Sequence, residues 1–129
     1  TKILKCGGNE PVEILGSGNQ IRCFTAGDDI GRAIKLIIEN EKEAINNEFN
    51  ISTPMATNIL ELSEMIWKEI YPNKPFKYIS KTPFKYDVQK RIPSTKKAFE
   101  LLGFEAKIPL IDSVREVIDY IKNKELVKE

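Results

Sequence analysis

The residues of this 129-residue chain best equipped for chemistry are an arginine on a β-prone run and a later cluster of lysines interleaved with aromatic rings. In Gln20-Ile21-Arg22-Cys23-Phe24 the strand period of two puts Gln20, Arg22 and Phe24 on one face and Ile21 and Cys23 on the other. A guanidinium beside an amide and a ring can fork onto a diphosphate, and it can equally pair as a surface cation with Asp28 or Asp29. Between Pro72 and Arg91, Lys74, Lys77, Lys81, Lys85, Lys90 and Arg91 face the single acid Asp87, interleaved with Phe76, Tyr78, Phe84 and Tyr86. Cations for phosphate and rings for bases compose a single-stranded nucleic-acid platform, and the same set would serve one nucleotide. A solvated lysine face over buried aromatics has the same composition.

Other chemistries are excluded by what is missing. The chain has no His, which removes the Ser-His-Asp triad and His-rich metal sites together. Cys6 and Cys23 stand seventeen apart, which builds neither a CxxC motif nor a four-ligand zinc site; they are expected as reduced thiols of a cytoplasmic protein. A formal charge of +1 gives no whole-molecule field toward nucleic acid or membrane, and no apolar run has the length of a membrane-spanning helix. Two motif matches are rejected. Gly16-Ser17-Gly18-Asn19-Gln20-Ile21 lacks the third glycine of a dinucleotide fingerprint and leads into a strand where that fingerprint must open a helix. Tyr86-Asp87-Val88-Gln89-Lys90 has the Tyr-x-x-x-Lys spacing, but Pro83, Pro93 and the β-prone Phe84 to Val88 argue against the helix that would put both side chains on one face.

The elements expected to position these residues form a small mixed fold. Val12 to Leu15 and Gln20 to Thr25, joined by Gly16-Ser17-Gly18-Asn19, have the length and composition of a β-hairpin. Ile30, Ala33, Ile34, Ile37 and Ile38 follow helical spacing, with Asp28 or Asp29 as cap and an end near Asn40. Phe49-Asn50-Ile51 reads as a short buried strand. Asn58 and Glu61 read as a capping box for a helix with core face Ile59, Leu62, Ile66 and Ile70, ended by Pro72. Phe76 to Ile79 is a candidate strand within an otherwise extended loop. Two helices follow, one through Ala98, Phe99, Leu101 and Leu102 closed by Gly103, the other behind Ser113 and Glu116 through Val114, Val117, Ile118 and Ile121. Lys122 to Glu129 is expected to fray, and Thr1 to Cys6 is too short for an independent helix. The fold class is α/β (α+β), one domain over residues 1–129, with too few strands for a full doubly wound sheet.

From Gly16 onward the residues carry a family likeness. Gly16-Ser17-Gly18-Asn19-Gln20-Ile21-Arg22-Cys23-Phe24-Thr25, followed by Asp28-Asp29-Ile30, resembles the G-x-G-x-Q-x-R-x-F-x-x-x-D-D segment of the NAD-dependent nucleotide-sugar epimerase/dehydratases, the extended short-chain dehydrogenases. Glu48-Phe49-Asn50-Ile51 and Ile59-Leu60-Glu61-Leu62 resemble that family's next landmarks. Asp87-Val88-Gln89-Lys90-Arg91-Ile92-Pro93, Lys97-Ala98 and Leu101-Leu102-Gly103-Phe104 resemble its D-x-x-x-R-x-P-D-x-x-K-A-x-x-x-L-G-[WF] block.

The resemblance implies that this chain is the C-terminal substrate-binding portion of an enzyme whose N-terminal Rossmann domain, absent here, holds NAD and the catalytic Tyr and Lys. A start at Thr1 without Met fits a partial polypeptide. The implied substrate is a nucleoside-diphosphate sugar, and the intact enzyme is a candidate homodimer. By correspondence Arg22 would contact the pyrophosphate, Arg91 the phosphates or ribose from the opposite side, and Gln20 the nucleoside, while Asp87 would orient the Arg91 loop. Ala26 and Gly27 replace the family's usual aromatic and Val, and Ser94 replaces its Asp after Pro93, which bears on affinity more than on fold.

Overall fold

The computed structural model describes residues 2–126, in the order α1 (Lys2–Lys5), β1 (Val12–Leu15), β2 (Ile21–Arg22), α2 (Gly27–Glu39), α3 (Glu41–Ala44), β3 (Thr57–Asn58), α4 (Ile59–Ile70), β4 (Tyr78–Lys81), α5 (Lys96–Leu102) and α6 (Leu110–Leu126). This is the mixed α/β class that the order of expected elements implies. The expected β-hairpin is not formed. β1 pairs in parallel with β4, Val12 opposite Tyr78 and Leu15 opposite Lys81, whereas β2 pairs antiparallel with β3. The Gly16–Asn19 turn therefore carries the chain from one two-stranded sheet to the other. Its local chemistry accounts for this: the Leu15 carbonyl accepts from the Gln20 side chain at 2.9 Å, and the Gly16 N–H donates to Lys81 at 2.9 Å, so neither closes a hairpin ladder.

Two apolar cores hold the elements. In the first, the alternating strand β1 turns Val12 and Ile14 inward onto Ile3 of α1 and Trp67 of α4, with Ile70, Tyr71 and Phe76 packed around them. α1 is thus a single turn docked on α4. The second joins Ala33 of α2, Ala98 and Leu102 of α5 and the buried Phe104; Phe49 and Ile51 pack against it in extended chain, where the short strand expected at residues 49–51 is not formed.

α2 spans the range its spacing implies, but its inward face is rotated. Asp29 and Ala33 are buried while Ile34 and Ile38 are 54% and 72% exposed. Neither aspartate caps the helix; Ala26 stands at the N-cap, and the Asp29 carboxylate instead accepts from the backbone N–H groups of Lys107 and Ile108 and from Arg32. α4 begins with the expected Asn58–Glu61 capping box and ends before Pro72. Its buried residues are Ser63 and Trp67, one position on from the expected Leu62 and Ile66, which line an apolar cleft of about 420 Å³ with Ile70 and with Val114, Val117 and Ile121 of α6.

α5 stops at Gly103 in a left-handed conformation, the cap its sequence implies. α6 starts at Leu110, before the expected cap at Ser113, because Pro109 is the natural first turn and its carbonyl accepts from Asp112 and Ser113. The helix continues through Leu126, so the expected fraying from Lys122 does not occur over that stretch; residues 127–129 lie outside the described residues.

Candidate functional site

β2 is only two residues long, yet it is the central strand of the site. β3 flanks it on one side, with Arg22 opposite Thr57, and residues 89–91 flank it on the other. The Ile21 N–H donates to Gln89 at 2.8 Å and the Arg91 N–H donates to Ile21 at 3.1 Å, a parallel bridge of Ile21 with Lys90. That register sets Arg91 beside Arg22, although sixty-nine residues separate them in sequence. The backbone thus places two arginine positions next to each other on neighbouring segments, where like charges repel unless an anion lies between them.

The other two expected site residues join the same cluster. Gln20 donates through its side-chain nitrogen to Asp87 Oδ2 at 2.7 Å, and Arg22 Nη2 donates to Asp87 Oδ1 at 3.3 Å. Arg22 Nη1 also reaches its own strand, donating to the Ile21 carbonyl at 2.8 Å. The Arg22 side chain keeps 25% of its exposure and Asp87 16%, whereas Gln20 is only 6% exposed and Arg91 is exposed. Asp87 therefore touches Gln20 and Arg22 directly, and the loop that carries Arg91 is held by the backbone bonds to Ile21.

The basic segment does not form one platform. Phe76 turns inward to Trp67, with ring centroids 5.9 Å apart, and Tyr78 stacks on Phe76. Lys74 donates to the Gly7 carbonyl and to Asn9 Oδ1, and Lys81 pairs with Glu13 at 3.1 Å. The N-terminal half of the segment is thus committed to structure, and the nucleic-acid reading loses its continuous strip. The stretch around Phe84 to Arg91 presents exposed cations beside exposed rings, near Arg22. Tyr86 is not helical, in keeping with rejection of the Tyr-x-x-x-Lys pair, and the Gly16–Asn19 turn feeds β2 rather than a helix. Among the described residues no group of three or more His, Cys, Asp or Glu side chains is placed to hold a metal ion.

Two features were not visible in the sequence reading. Asp28-Asp29 at the start of a helical period looks like capping, and only the spacing to the Lys107 loop, invisible locally, shows Asp29 as a clamp between α2 and the entry to α6. The seat of the Gln20 amide is Gly16, at φ +74°, where a side-chain carbon would stand 2.9 Å from the amide nitrogen.

No protein-family model matches the chain. Among curated proteins it is 33% identical over 101 residues to UDP-glucuronic acid decarboxylase 4 of Arabidopsis thaliana, an alignment covering 78% of this chain and 22% of that protein. Among solved structures it superposes on UDP-glucuronic acid 4-epimerase from Bacillus cereus, in complex with UDP-glucuronic acid and NAD, with a TM-score of 0.81 and 26% identity over 95% of this chain and 38% of the other. It superposes likewise on UDP-glucose 4-epimerase from Thermotoga maritima with UDP-glucose, with a TM-score of 0.74 and 30% identity, again covering 95% of this chain and 38% of that one. The chain therefore spans well under half of the proteins it matches, and the part it matches is their C-terminal part. The motif order, the architecture and both sets of matches agree: the chain corresponds to the C-terminal portion of an extended short-chain dehydrogenase.

Proposed function

We propose that this chain grips the nucleoside diphosphate of a sugar nucleotide, as the substrate-side lobe of an NAD-dependent epimerase or decarboxylase. The observation that carries the reading is the register that sets Arg91 beside Arg22. Guanidinium groups stay charged at any working pH and pair with phosphate oxygens two N–H groups at a time. Placed on adjacent strands, one reaches each side of a diphosphate. The matched relatives, whose names and titles pair this architecture with UDP-sugars, support the same ligand class.

In this reading the lobe positions and neutralises the substrate. The described residues do not fit a dinucleotide, because the Gly16–Asn19 turn opens a strand and offers no helix N-terminus to a pyrophosphate. NAD is thus assigned to the Rossmann domain of a parent enzyme. Holding the diphosphate fixes the sugar relative to that domain, and a bimolecular encounter becomes a positioned one. Cys6 and Cys23 are unpaired and half-buried, which suits a reducing cytoplasmic setting.

Calorimetric titration with UDP-, dTDP- and GDP-sugars tests the reading. One of these should bind, and Arg22→Ala should weaken binding about tenfold or more, as expected for losing a charge-assisted bond. Absence of binding to all three, or an unchanged affinity in both Arg22→Ala and Arg91→Ala, would overturn it.

A further inference from the structure

Gln20 is the odd member of the cluster. It is buried, and both hydrogens of its amide nitrogen are committed, one to the Leu15 carbonyl at 2.9 Å and one to Asp87 Oδ2 at 2.7 Å. Its own oxygen is buried with no hydrogen-bond partner among the described residues. An amide that leaves its acceptor idle is oriented by what it donates to, and here that is the Asp87 carboxylate. The same carboxylate holds Arg22 through its other oxygen alone, in a long 3.3 Å contact to Nη2.

A free carboxylate beside arginine closes fork to fork, with both oxygens on two guanidinium N–H groups. Asp87 does not do so: Gln20 donates to Oδ2, and Arg22 Nη1 is engaged by the Ile21 carbonyl instead. We propose that Gln20 is a positioning residue that never touches the ligand: by capping Oδ2 it keeps the Asp87–Arg22 pair single-pointed, and so leaves the outer edge of the Arg22 guanidinium open for a diphosphate. Gly16 completes the device, since any side chain there would displace the amide. This inference rests on the diphosphate reading above and assigns Gln20 a role other than the nucleoside contact that the family resemblance implies.

The structure also fixes the sign of each change. Gln20→Met keeps the volume and removes the cap, so Asp87 closes on Arg22 and competes with phosphate. Adding Asp87→Asn removes the competitor. UDP affinity should therefore fall about tenfold in Gln20→Met and return to within about threefold of the parent chain in Gln20→Met/Asp87→Asn. A purely structural glutamine would give a loss that the second substitution deepens or leaves alone, and that outcome, or an unchanged affinity in Gln20→Met, overturns the proposal. Gly16→Ala, which displaces the amide from outside, should reproduce the Gln20→Met loss.

Side-chain nitrogen NMR of Arg22 without nucleotide provides a readout independent of binding. Rotation about the guanidinium C–N bonds should slow in Gln20→Met, where Asp87 adds a second N–H contact to the long one at Nη2 while Nη1 stays on the Ile21 carbonyl, and recover in the double variant. Unchanged rotation contradicts the proposal even if the chain binds UDP. If Arg22→Ala leaves UDP binding unaltered while the rotation slows as expected, the diphosphate reading is at fault and the capping geometry stands.

Discussion

Asp29 and Ile108 lie seventy-nine positions apart and are joined by a 3.0 Å hydrogen bond from the Ile108 N–H to a carboxylate that is 1% exposed. The neighbouring Lys107 N–H reaches both oxygens of the same group at 3.0 and 3.1 Å, and Arg32 pairs with it while also donating to the Glu105 carbonyl at 2.6 Å. One carboxylate thus ties α2, which follows the Arg22 strand, to the loop that launches α6.

Replacing it tests that role. Asp29→Asn offers one acceptor oxygen for two backbone donors and turns an N–H₂ toward the loop, so a loss of about 3 kcal/mol is expected for a buried, charge-assisted cluster. Urea unfolding measures it directly. The pH dependence follows from the same contacts. Burial pushes the Asp29 carboxyl up, but the hydrogen bonds from Ile108, Lys107 and Arg32, with the Arg32 charge, outweigh it and leave the group below its ordinary value of 3.8. The unfolded chain therefore binds this proton more readily, so the contribution is present above pH 3.8 and is lost as pH falls through the depressed native value. Acid unfolding of Asp29→Asn should lack that part of the pH dependence.

The first core rests on Trp67, which is 1% exposed, packs at a tilt against Tyr71 with ring centroids 5.0 Å apart and donates its indole N–H to the Lys74 carbonyl at 2.9 Å. Trp67→Ala should cost about 3–5 kcal/mol, a large share of the stability of a domain of this size. Asn58→Ala removes only one arm of the capping box, bonded to Glu61 N–H at 2.8 Å, and should cost about 1 kcal/mol while leaving the fold intact. Chemical denaturation should separate the two; equal losses would contradict the packing described.

The contrast between these two residues also shows how far the sequence could be read. Asn58 and Glu61 act three residues apart, so the box was legible, as were the stop before Pro72 and the cap at Gly103. Trp67 and Asp29 owe their roles to partners far along the chain, and a local period could not reveal that α2 and α4 are each turned about one position from the expected face. The hairpin failed for the same reason. Val12–Leu15 has strand alternation whichever strand it meets, and its partner is Tyr78–Lys81. The proximity of Gln20, Arg22, Asp87 and Arg91 was legible only through family motifs, which carry long-range information: the four come from two distant segments, and the structure brings them together around one short strand.

The basic segment yields a negative prediction. With Phe76 packed on the core and Lys74 and Lys81 committed to partners, a continuous strip for an oligonucleotide is lacking. Fluorescence anisotropy with single-stranded DNA and RNA at low salt should show no tight, steeply salt-dependent binding. Such binding, abolished by changing Lys77 or Lys85, would restore the nucleic-acid reading.

The most direct test of the central claim is an amide NMR titration of this chain with UDP. Diphosphate binding at paired arginines predicts that the saturable shifts concentrate on Ile21, Arg22 and residues 87–91, and that Arg22→Ala and Arg91→Ala each weaken them. Shifts confined to the apolar cleft between α4 and α6, or none at Arg22 and residues 87–91 at saturating UDP, would contradict it.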